Sequence, residues 1–200
     1  MTDATGFVTA GGQSSRMGQD KAWLEIGGRA IVERVIAALA PVTPGVAIIA
    51  NNSEYARLGL PVFADSNIGV GPLEAIRTAL ANSPTPRVIL AGCDLPFVTS
   101  ELFGFLLGVA GEIQAVVPVG ADGKLEPLCA VYATSALEAV TKLIENGERM
   151  VRVLFEHIPT RLVPFAEIQH LRGAEFFFEN VNTPQEYENA LRIFERLQAG

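Results

Sequence analysis

The chain has 200 residues, of which 49% are hydrophobic and 18% charged, proportions typical of a globular protein with a sizeable core and not of a disordered chain. Its net charge of −7 argues against nucleic acid or an anionic membrane as a partner, since both require a basic face. No apolar run is long enough for a membrane span and the N-terminus lacks the pattern of a secretory signal, so we expect a cytoplasmic protein in which Cys93 and Cys129 are reduced thiols.

Short apolar runs alternate with helical patterns along the chain. In chain order the pattern predicts a strand over Gly6–Ala10, a helix over Ile31–Ala40, strands over Val46–Ala50 and Pro61–Ala64, a helix over Leu73–Ala81, a strand over Val88–Ala91, a helix over Thr99–Val109, strands over Ala115–Val119 and Leu128–Tyr132, helices over Thr134–Glu145 and Glu148–His157, a strand over Phe176–Phe178, and a helix over Pro184–Leu197 with Thr183 as its N-cap.

This alternation predicts an α/β fold, a single domain over residues 1–200 built as a Rossmann-like, three-layer αβα sandwich on a mostly parallel sheet. Ligands of such sheets bind outside the carboxyl ends of the strands. We therefore expect functional residues after the first, third and fourth predicted strands.

A glycine-rich segment follows the first predicted strand, and residues 10–21 read Ala-Gly-Gly-Gln-Ser-Ser-Arg-Met-Gly-Gln-Asp-Lys. Glycines let the backbone approach a phosphate closely, while Arg16 and Lys21 supply the charge that a triphosphate and a pyrophosphate leaving group require. A solvated turn carrying two cations is the alternative, although the full spacing is improbable by chance. The segment matches neither a Walker loop nor the dinucleotide fingerprint.

Asp94 follows the apolar run Val88–Gly92 after a single intervening residue, Cys93, which places a carboxylate at the carboxyl edge of the sheet. Mg²⁺ prefers hard oxygen ligands, usually one or two carboxylates together with phosphate oxygens. We therefore predict that Asp94 holds Mg²⁺. A helix cap is the alternative, but Pro96 and Thr99 already supply the signals that bound the next helix.

Asp65 follows the third predicted strand. A carboxylate at the carboxyl edge of the sheet is suited to accepting hydrogen bonds from a bound ligand. The alternative is an ordinary turn residue before Ser66 and Asn67.

Two asparagines, Asn180 and Asn182, flank Val181 just before the last predicted helix. Their amides are suited to binding a second, anionic substrate or to positioning the metal. Turn chemistry before a helix is the alternative explanation.

Four segments in order resemble the nucleotidyltransferase superfamily, and most closely the molybdenum cofactor guanylyltransferases. They are the loop of residues 10–21, Gly71-Pro72-Leu73 at the start of a helix, Cys93-Asp94-Leu95-Pro96-Phe97, and Phe178-Glu179-Asn180-Val181-Asn182-Thr183-Pro184.

The resemblance implies transfer of GMP from GTP to the phosphate of a molybdopterin-type acceptor, with Mg²⁺ as cofactor, release of pyrophosphate, and molybdoenzyme-maturation proteins as partners. Arg16, Lys21 and Asp94 are then the catalytic residues, and Asn180 and Asn182 contact the second substrate. The implied nucleotide contacts are Thr9, Ala10, Gly11, Gly12, Arg16, Lys21, Asn51, Asp65, Gly71, Pro72, Leu73 and Asp94.

Three alternatives stay open at this point. Cytidylyltransferases of the same cofactor usually carry Ala at the position of Gly11, and sugar-phosphate nucleotidyltransferases are usually longer. A non-catalytic nucleotide-binding regulator is disfavoured because Arg16, Lys21 and Asp94 are all present.

The chain also departs from the family at Thr9, where Leu is usual, and at Glu126, where a neutral or basic residue commonly precedes the proline. An acid beside an anionic substrate is unfavourable.

Overall fold

The computed structural model describes residues 3–10, 20–65 and 71–199. The strands in these ranges are β1 (Ala4–Thr9), β2 (Glu25–Ile26), β3 (Arg29–Ala30), β4 (Val46–Ile49), β5 (Val62–Phe63), β6 (Arg87–Gly92), β7 (Ala115–Pro118), β8 (Cys129–Ala133) and β9 (Thr160–Val163). The α-helices there are α1 (Ile31–Leu39), α2 (Pro72–Asn82), α3 (Ser100–Gly108), α4 (Leu137–Glu145), α5 (Val151–His157), α6 (Phe165–Ile168) and α7 (Pro184–Ala199). Short 3₁₀ helices span Lys21–Trp23, Ser53–Leu58, Thr134–Ala136 and Ala174–Phe176.

Within the described residues, seven strands form one sheet in the order β5-β4-β1-β6-β8-β7-β9. The pairs β4–β5, β1–β4, β1–β6 and β7–β9 are parallel, whereas β8 runs antiparallel to both β6 and β7. The mostly parallel sheet predicted from the sequence is thus confirmed. The other six strands all end at one edge of the sheet, and β8 begins there.

The central strands are buried on both faces, as their continuous apolar runs predict. Successive side chains of β1 point to opposite faces, so Val8 packs in one core with α1 and α3 while Phe7 packs in the other with α2, α4 and α5. Helices therefore cover both faces, which confirms the αβα layering.

A third apolar cluster joins α7 to the hairpin of β2 and β3, through Leu24, Ile26, Ile31, Phe97, Val181, Ala190 and Ile193. Gly27 lies in the hairpin turn at a φ of 62°, and a Cβ at this position would collide with the ring of Phe194. Glycine therefore serves both the turn and the close approach of the helix.

The start of α7 is held by a capping box, as the Thr183 prediction requires. The backbone N–H of Glu186 donates to Thr183 Oγ1 at 3.2 Å, and the Glu186 carboxylate accepts from the N–H groups of Asn182 at 2.7 Å and Thr183 at 2.9 Å. This cap fixes the backbone on which Asn182 lies.

The strand predicted over Phe176–Phe178 is wrong. Gly173 takes a φ of 77° and its carbonyl accepts from the N–H of Phe176 at 2.9 Å, so the chain turns as a 3₁₀ helix instead of extending. Phe177 is fully buried while Phe176 packs near Phe97. A turn, and not a strand, thus buries Phe177 and leaves Phe176 and Phe178 partly buried on either side of it.

Several short elements escape the sequence patterns, namely β2, β3, β9 and α6. β2 and β3 are two-residue arms, and β9 (Thr-Arg-Leu-Val) lies at the sheet edge without an apolar run. β9 is defined by its parallel pairing with β7, which is distant in sequence, and not by its own composition.

Both cysteines are free thiols buried in the core, as predicted, and burial raises the pKa of Cys93 to about 12. In the ranges that the structure describes, no helix is both long and apolar enough to cross a membrane.

Candidate active site at the carboxyl edge of the sheet

Lys21, Asp94 and Asn182 meet at the carboxyl edge of the sheet, although 161 positions separate the first from the last. The Lys21 ammonium donates to Asp94 Oδ2 at 2.8 Å and to Asn182 Oδ1 at 2.6 Å. The Lys21 and Asp94 side chains are only 14% and 23% exposed. The fold therefore joins a predicted phosphate-binding cation, a predicted metal-binding carboxylate and a predicted acceptor-binding amide in what we call the lysine cluster.

Lys21 is positioned by the 3₁₀ helix that it begins. Asp20 caps this helix, with its Oδ1 accepting from the N–H of Ala22 at 3.1 Å, and Tyr55 donates its hydroxyl to the Asp20 Oδ2 at 2.7 Å. The ring of Trp23 stacks on that of Tyr55 with centroids 5.2 Å apart. Burial and the bond to Asp20 raise the pKa of Tyr55 above its usual range, so its hydroxyl stays a donor.

Asp94 is positioned by the end of β6. The N–H of Cys93 donates to the carbonyl of Thr9 at 2.9 Å, which keeps the chain attached to β1 beyond the strand. Gly92 leaves room for the Asp94 carboxylate, since a Cβ there would lie 2.5 Å from its Oδ1. The N–H of Val181 donates to the Asp94 carbonyl at 2.9 Å, so the segment carrying Asn182 is bonded to the segment carrying Asp94.

The carboxylate of Asp94 has the donor chemistry for Mg²⁺. Among the described residues, no group of three or more His, Cys, Asp or Glu side chains could hold a metal ion. Mg²⁺ is commonly held by one or two carboxylates together with phosphate oxygens and water, so a lone carboxylate such as that of Asp94 is a suitable ligand.

Asp65 lies beyond β5 and is tied to α2, because Thr78 donates its hydroxyl to Asp65 Oδ1 at 2.9 Å. Burial raises the pKa of Asp65 and the Glu74 carboxylate adds to this effect, while the Thr78 hydrogen bond and Arg77 oppose it. Glu74 itself is buried and paired with Arg77. Asp65 thus lies at the carboxyl edge of the sheet, beyond β5, which is four positions from β8 in the strand order.

The segment Gly71-Pro72-Leu73 forms the N-terminus of α2, where the first N–H groups of a helix lack intrahelical acceptors and suit an anion. Gly71 takes a φ of 79°, which favours glycine. The side chain of Leu73 is fully buried in the core. Any contact of Leu73 with a nucleotide must therefore involve its backbone.

The remaining predicted nucleotide contacts lie at the ends of β1 and β4. Thr9 ends β1 and Ala10 donates its N–H to the carbonyl of Ile49 at 2.8 Å. Asn51 is exposed just beyond β4. Gly11, Gly12 and Arg16 lie outside the described residues.

Asn180 does not share the position of Asn182. Its amide nitrogen donates to the carbonyl of Phe178 at 3.1 Å, and it lines a neighbouring cavity of about 240 Å³. Sequence reasoning also missed Asp20 and Tyr55, which support Lys21. Their contact joins positions 35 residues apart, so no local pattern indicates it.

The lysine, the carboxylate and the amide lie where Rossmann-like sheets bind their ligands, outside the carboxyl ends of the strands. The model of the MobA-like NTP transferase domain family matches residues 6–161. The chain belongs to this family, which confirms the resemblance found in the four sequence segments.

Individual relatives match along nearly the whole chain. The chain is 35% identical to the probable molybdenum cofactor guanylyltransferase of Carboxydothermus hydrogenoformans, over 97% of this chain and 98% of that protein. It is 34% identical to the molybdenum cofactor guanylyltransferase of Vibrio cholerae, over 92% and 90%. The structure of molybdopterin-guanine dinucleotide biosynthesis protein A from Archaeoglobus fulgidus is similar with a TM-score of 0.81 at 25% identity, covering 96% of this chain and 99% of that one.

Proposed function

We propose that the protein transfers GMP from GTP to the phosphate of molybdopterin and releases pyrophosphate. The observation that carries this proposal is the lysine cluster, in which Lys21 bonds both Asp94 and Asn182 at the carboxyl edge of the sheet. The full-length similarity to relatives named for guanylyl transfer to this cofactor supports the choice of substrates.

The order of the strands supports binding of the nucleotide at one half of the sheet and of the acceptor at the other half. Asp65 follows β5 at one end of the sheet, whereas Asn180 lines the cavity beside the connection between β7 and β8. Lys21 and Asp94 stand between them, where β1 and β6 end. Nucleotide on one side and acceptor on the other would bring the two phosphates together at the lysine cluster.

The reaction is an in-line displacement at the α-phosphorus of GTP. A bond forms from the acceptor phosphate oxygen to the α-phosphorus, and the bond from the α-phosphorus to the bridging oxygen breaks, with the electron pair leaving on pyrophosphate. A phosphate monoester has a second pKa of about 6, so the attacking oxygen is already ionised at neutral pH and needs no general base.

The residues of the site then act by position and charge. The Lys21 ammonium has three N–H donors, two of which bond Asp94 and Asn182, so a third is available for a phosphate oxygen. Arg16 would meet the same charge, and Asp94 would hold Mg²⁺, which when bound neutralises phosphate charge. Asp65 would accept from the guanine N1–H and 2-amino group.

The decisive test is pyrophosphate release from the purified protein in the presence of Mg²⁺. We expect release only when GTP and molybdopterin are both supplied, and no comparable rate with CTP in place of GTP. Equal rates with CTP would identify a cytidylyltransferase. Release with a sugar phosphate in place of molybdopterin would contradict the proposed acceptor, and nucleotide binding without any turnover would indicate a regulator.

A further inference from the structure

The cavity of about 240 Å³ lies at the same sheet edge as the lysine cluster. One wall is the connection between β7 and β8, residues 119–128, and another is the segment that leads to Asn182. The connection reaches this edge because β8 runs against its neighbours, and the N–H of Gly92 donates to the carbonyl of Leu128 at 2.7 Å. The cavity is therefore adjacent to the strand end that carries Asp94.

Glu126 lines this cavity in a half-buried position on a fixed backbone. Its N–H donates to the carbonyl of Pro118 at 3.0 Å, and its carbonyl accepts from the N–H of Cys129 at 3.0 Å. Its carboxylate receives no hydrogen bond from any residue that the structure describes. Its oxygens reach the cavity, since among the described residues Trp23 Nε1 is the one buried side-chain N or O atom without a partner. A ligand in the cavity that brings N–H groups can therefore donate to them directly.

The electrostatics of Glu126 agree with this geometry. The pKa of Glu126 is raised to about 7, mainly by burial and also by the negative charges of Asp122 and Asp94, while Lys124 opposes the shift. The cavity thus favours neutral or donor-rich groups over anions. It also contains the partly buried ring of Phe178 and the amide of Asn180, which suit a flat heterocycle.

We propose that this cavity binds the pterin ring of the acceptor, with the Glu126 carboxylate accepting hydrogen bonds from the 2-amino group and the adjacent ring N–H. This assignment rests on the proposed function and names the part of the acceptor that the site reads. The pterin edge presents two neighbouring donors, which a carboxylate with two oxygens can pair with simultaneously. The cavity volume is smaller than the ~300–1,000 Å³ of whole-ligand pockets, as expected for a subsite that takes one end of a molecule.

The position of the cavity also orients the acceptor. Two residues of chain span at most about 7 Å, so Asn180 in the cavity wall is close to Asn182 in the lysine cluster. An acceptor with its ring at Glu126 would therefore direct its phosphate toward Lys21. The acid at position 126, unfavourable beside a phosphate, is instead suited to the donor-bearing end of the substrate.

The test uses two fluorescent probes that differ in one group. One is a pterin with a phosphate monoester on its 6-side chain, and the other is the matching lumazine, in which a carbonyl replaces the 2-amino group. We expect the unmodified protein to bind the pterin about 10- to 100-fold more tightly, the range for a hydrogen bond to a charged group. Glu126→Gln should lose this preference, whereas Glu112→Gln, which changes an exposed glutamate, should keep it.

Equal binding of the two probes by the unmodified protein, binding of neither, or a preference that survives Glu126→Gln would each overturn the assignment. The comparison of probes on the unmodified protein does not depend on the folding of any variant. GTP binding, measured separately by the melting temperature of the unmodified protein with Mg²⁺, distinguishes the two failures. If the protein binds GTP but does not prefer the pterin probe, the subsite assignment is wrong and the proposed function stands. If it prefers the pterin probe but does not bind GTP, the proposed function is wrong and the subsite assignment stands.

Discussion

Lys21 and Asp94 neutralise each other in a site that is mostly shielded from water, so each side chain depends on the other. Removing one charge leaves its partner shielded and incompletely compensated, which costs more than the loss of an exposed pair. Variants of these two residues therefore separate catalytic from structural roles only when the melting temperature is measured beside the rate.

Asp94→Asn keeps the side-chain shape and removes the negative charge that would hold Mg²⁺. We expect turnover to be nearly abolished while the circular dichroism spectrum stays that of the parent protein, and chelation of Mg²⁺ from the unmodified protein should have the same effect. Pyrophosphate release at saturating GTP and acceptor measures this. Asp3→Asn, at an exposed carboxylate before β1, is the control. Near-normal rates for Asp94→Asn at saturating Mg²⁺ would contradict the metal role.

Lys21→Ala removes a cation that, in the proposed mechanism, would meet the charge growing on pyrophosphate as the bond to the α-phosphorus breaks. We expect the single-turnover rate at saturating GTP to fall by ~10² to 10³, typical for the loss of one preorganised contact. Lys142→Ala is the control, because Lys142 forms an exposed pair on α4 and such pairs contribute little. The same loss is expected for Arg16→Ala. If both Lys21→Ala and Arg16→Ala keep the single-turnover rate and the melting temperature of the parent protein, the loop of residues 10–21 takes no part in catalysis.

Glu126→Gln tests the pKa of the Glu126 carboxyl through stability. A carboxyl group whose pKa is raised to about 7 by folding stabilises the folded state below its unfolded value near 4.5, and this contribution is lost as the pH rises through 7. The substitution should therefore raise the melting temperature at pH 8 relative to the parent, with a smaller or opposite effect at pH 5. A difference between variant and parent that does not change with pH would contradict the raised pKa.

Among the elements, the guanidinium of Arg34 on α1 connects three segments that each lead away from the lysine cluster. Its Nε donates to the carbonyl of Pro96 at 3.2 Å, its Nη1 donates to the carbonyl of Ile26 at 3.1 Å, and its Cζ lies 4.9 Å from the ring centre of Phe194. These segments follow Asp94, Lys21 and Asn182, respectively. Arg34 thus holds their relative positions without reaching the reacting groups.

Arg34→Met should keep the packing of the stem and leave both carbonyls without their donor. We expect a loss of about 2 kcal/mol in the free energy of unfolding, because the bonds come from a charged group. We also expect a fall in kcat with little change in the KM for GTP, since the cluster would be misaligned. Arg29→Met, at an exposed hairpin position, is the control. A loss of stability with unchanged kcat would mean that Arg34 acts on the fold alone.

Local features were predictable from the sequence and distant pairings were not. The cap at Thr183 and the place of Asp94 after a buried strand follow from short-range rules of chain geometry. The reversal of β8 depends on pairing with β6, which no local pattern specifies. The same holds for the bond from Lys21 to Asn182. The error at Phe176–Phe178 arose because three aromatic residues in succession indicate burial but not the backbone shape that achieves it.

At the scale of the whole molecule, the proposed arrangement places the nucleotide and the acceptor at different parts of the sheet. We therefore expect GTP to bind and stabilise the protein in the absence of the acceptor. GTP with Mg²⁺ should raise the melting temperature more than CTP, ATP or UTP does, because Asp65 is proposed to accept hydrogen bonds from the guanine donors. Ligand at ~100 times its dissociation constant adds about 2.7 kcal/mol, so the difference is measurable by thermal melting. Asp65→Asn should narrow the gap between GTP and the other nucleotides. Equal shifts for CTP and GTP in the unmodified protein would contradict the guanine assignment.

Because strand β8 is antiparallel to its neighbours, the segment that joins β7 to β8 can be replaced as a unit. Because β8 runs against β6 and β7, residues 119–128 form a hairpin that enters and leaves at one edge of the sheet, and the isolated bridge between Val119 and Leu125 closes it. A parallel strand in this place would need a crossover around the sheet, and its loop would be tied to a helix. Here residues 119–128 join β7 directly to β8 without a helix between them. A chimaera that carries a relative's hairpin should therefore acquire that relative's acceptor selectivity and retain its own choice of nucleotide.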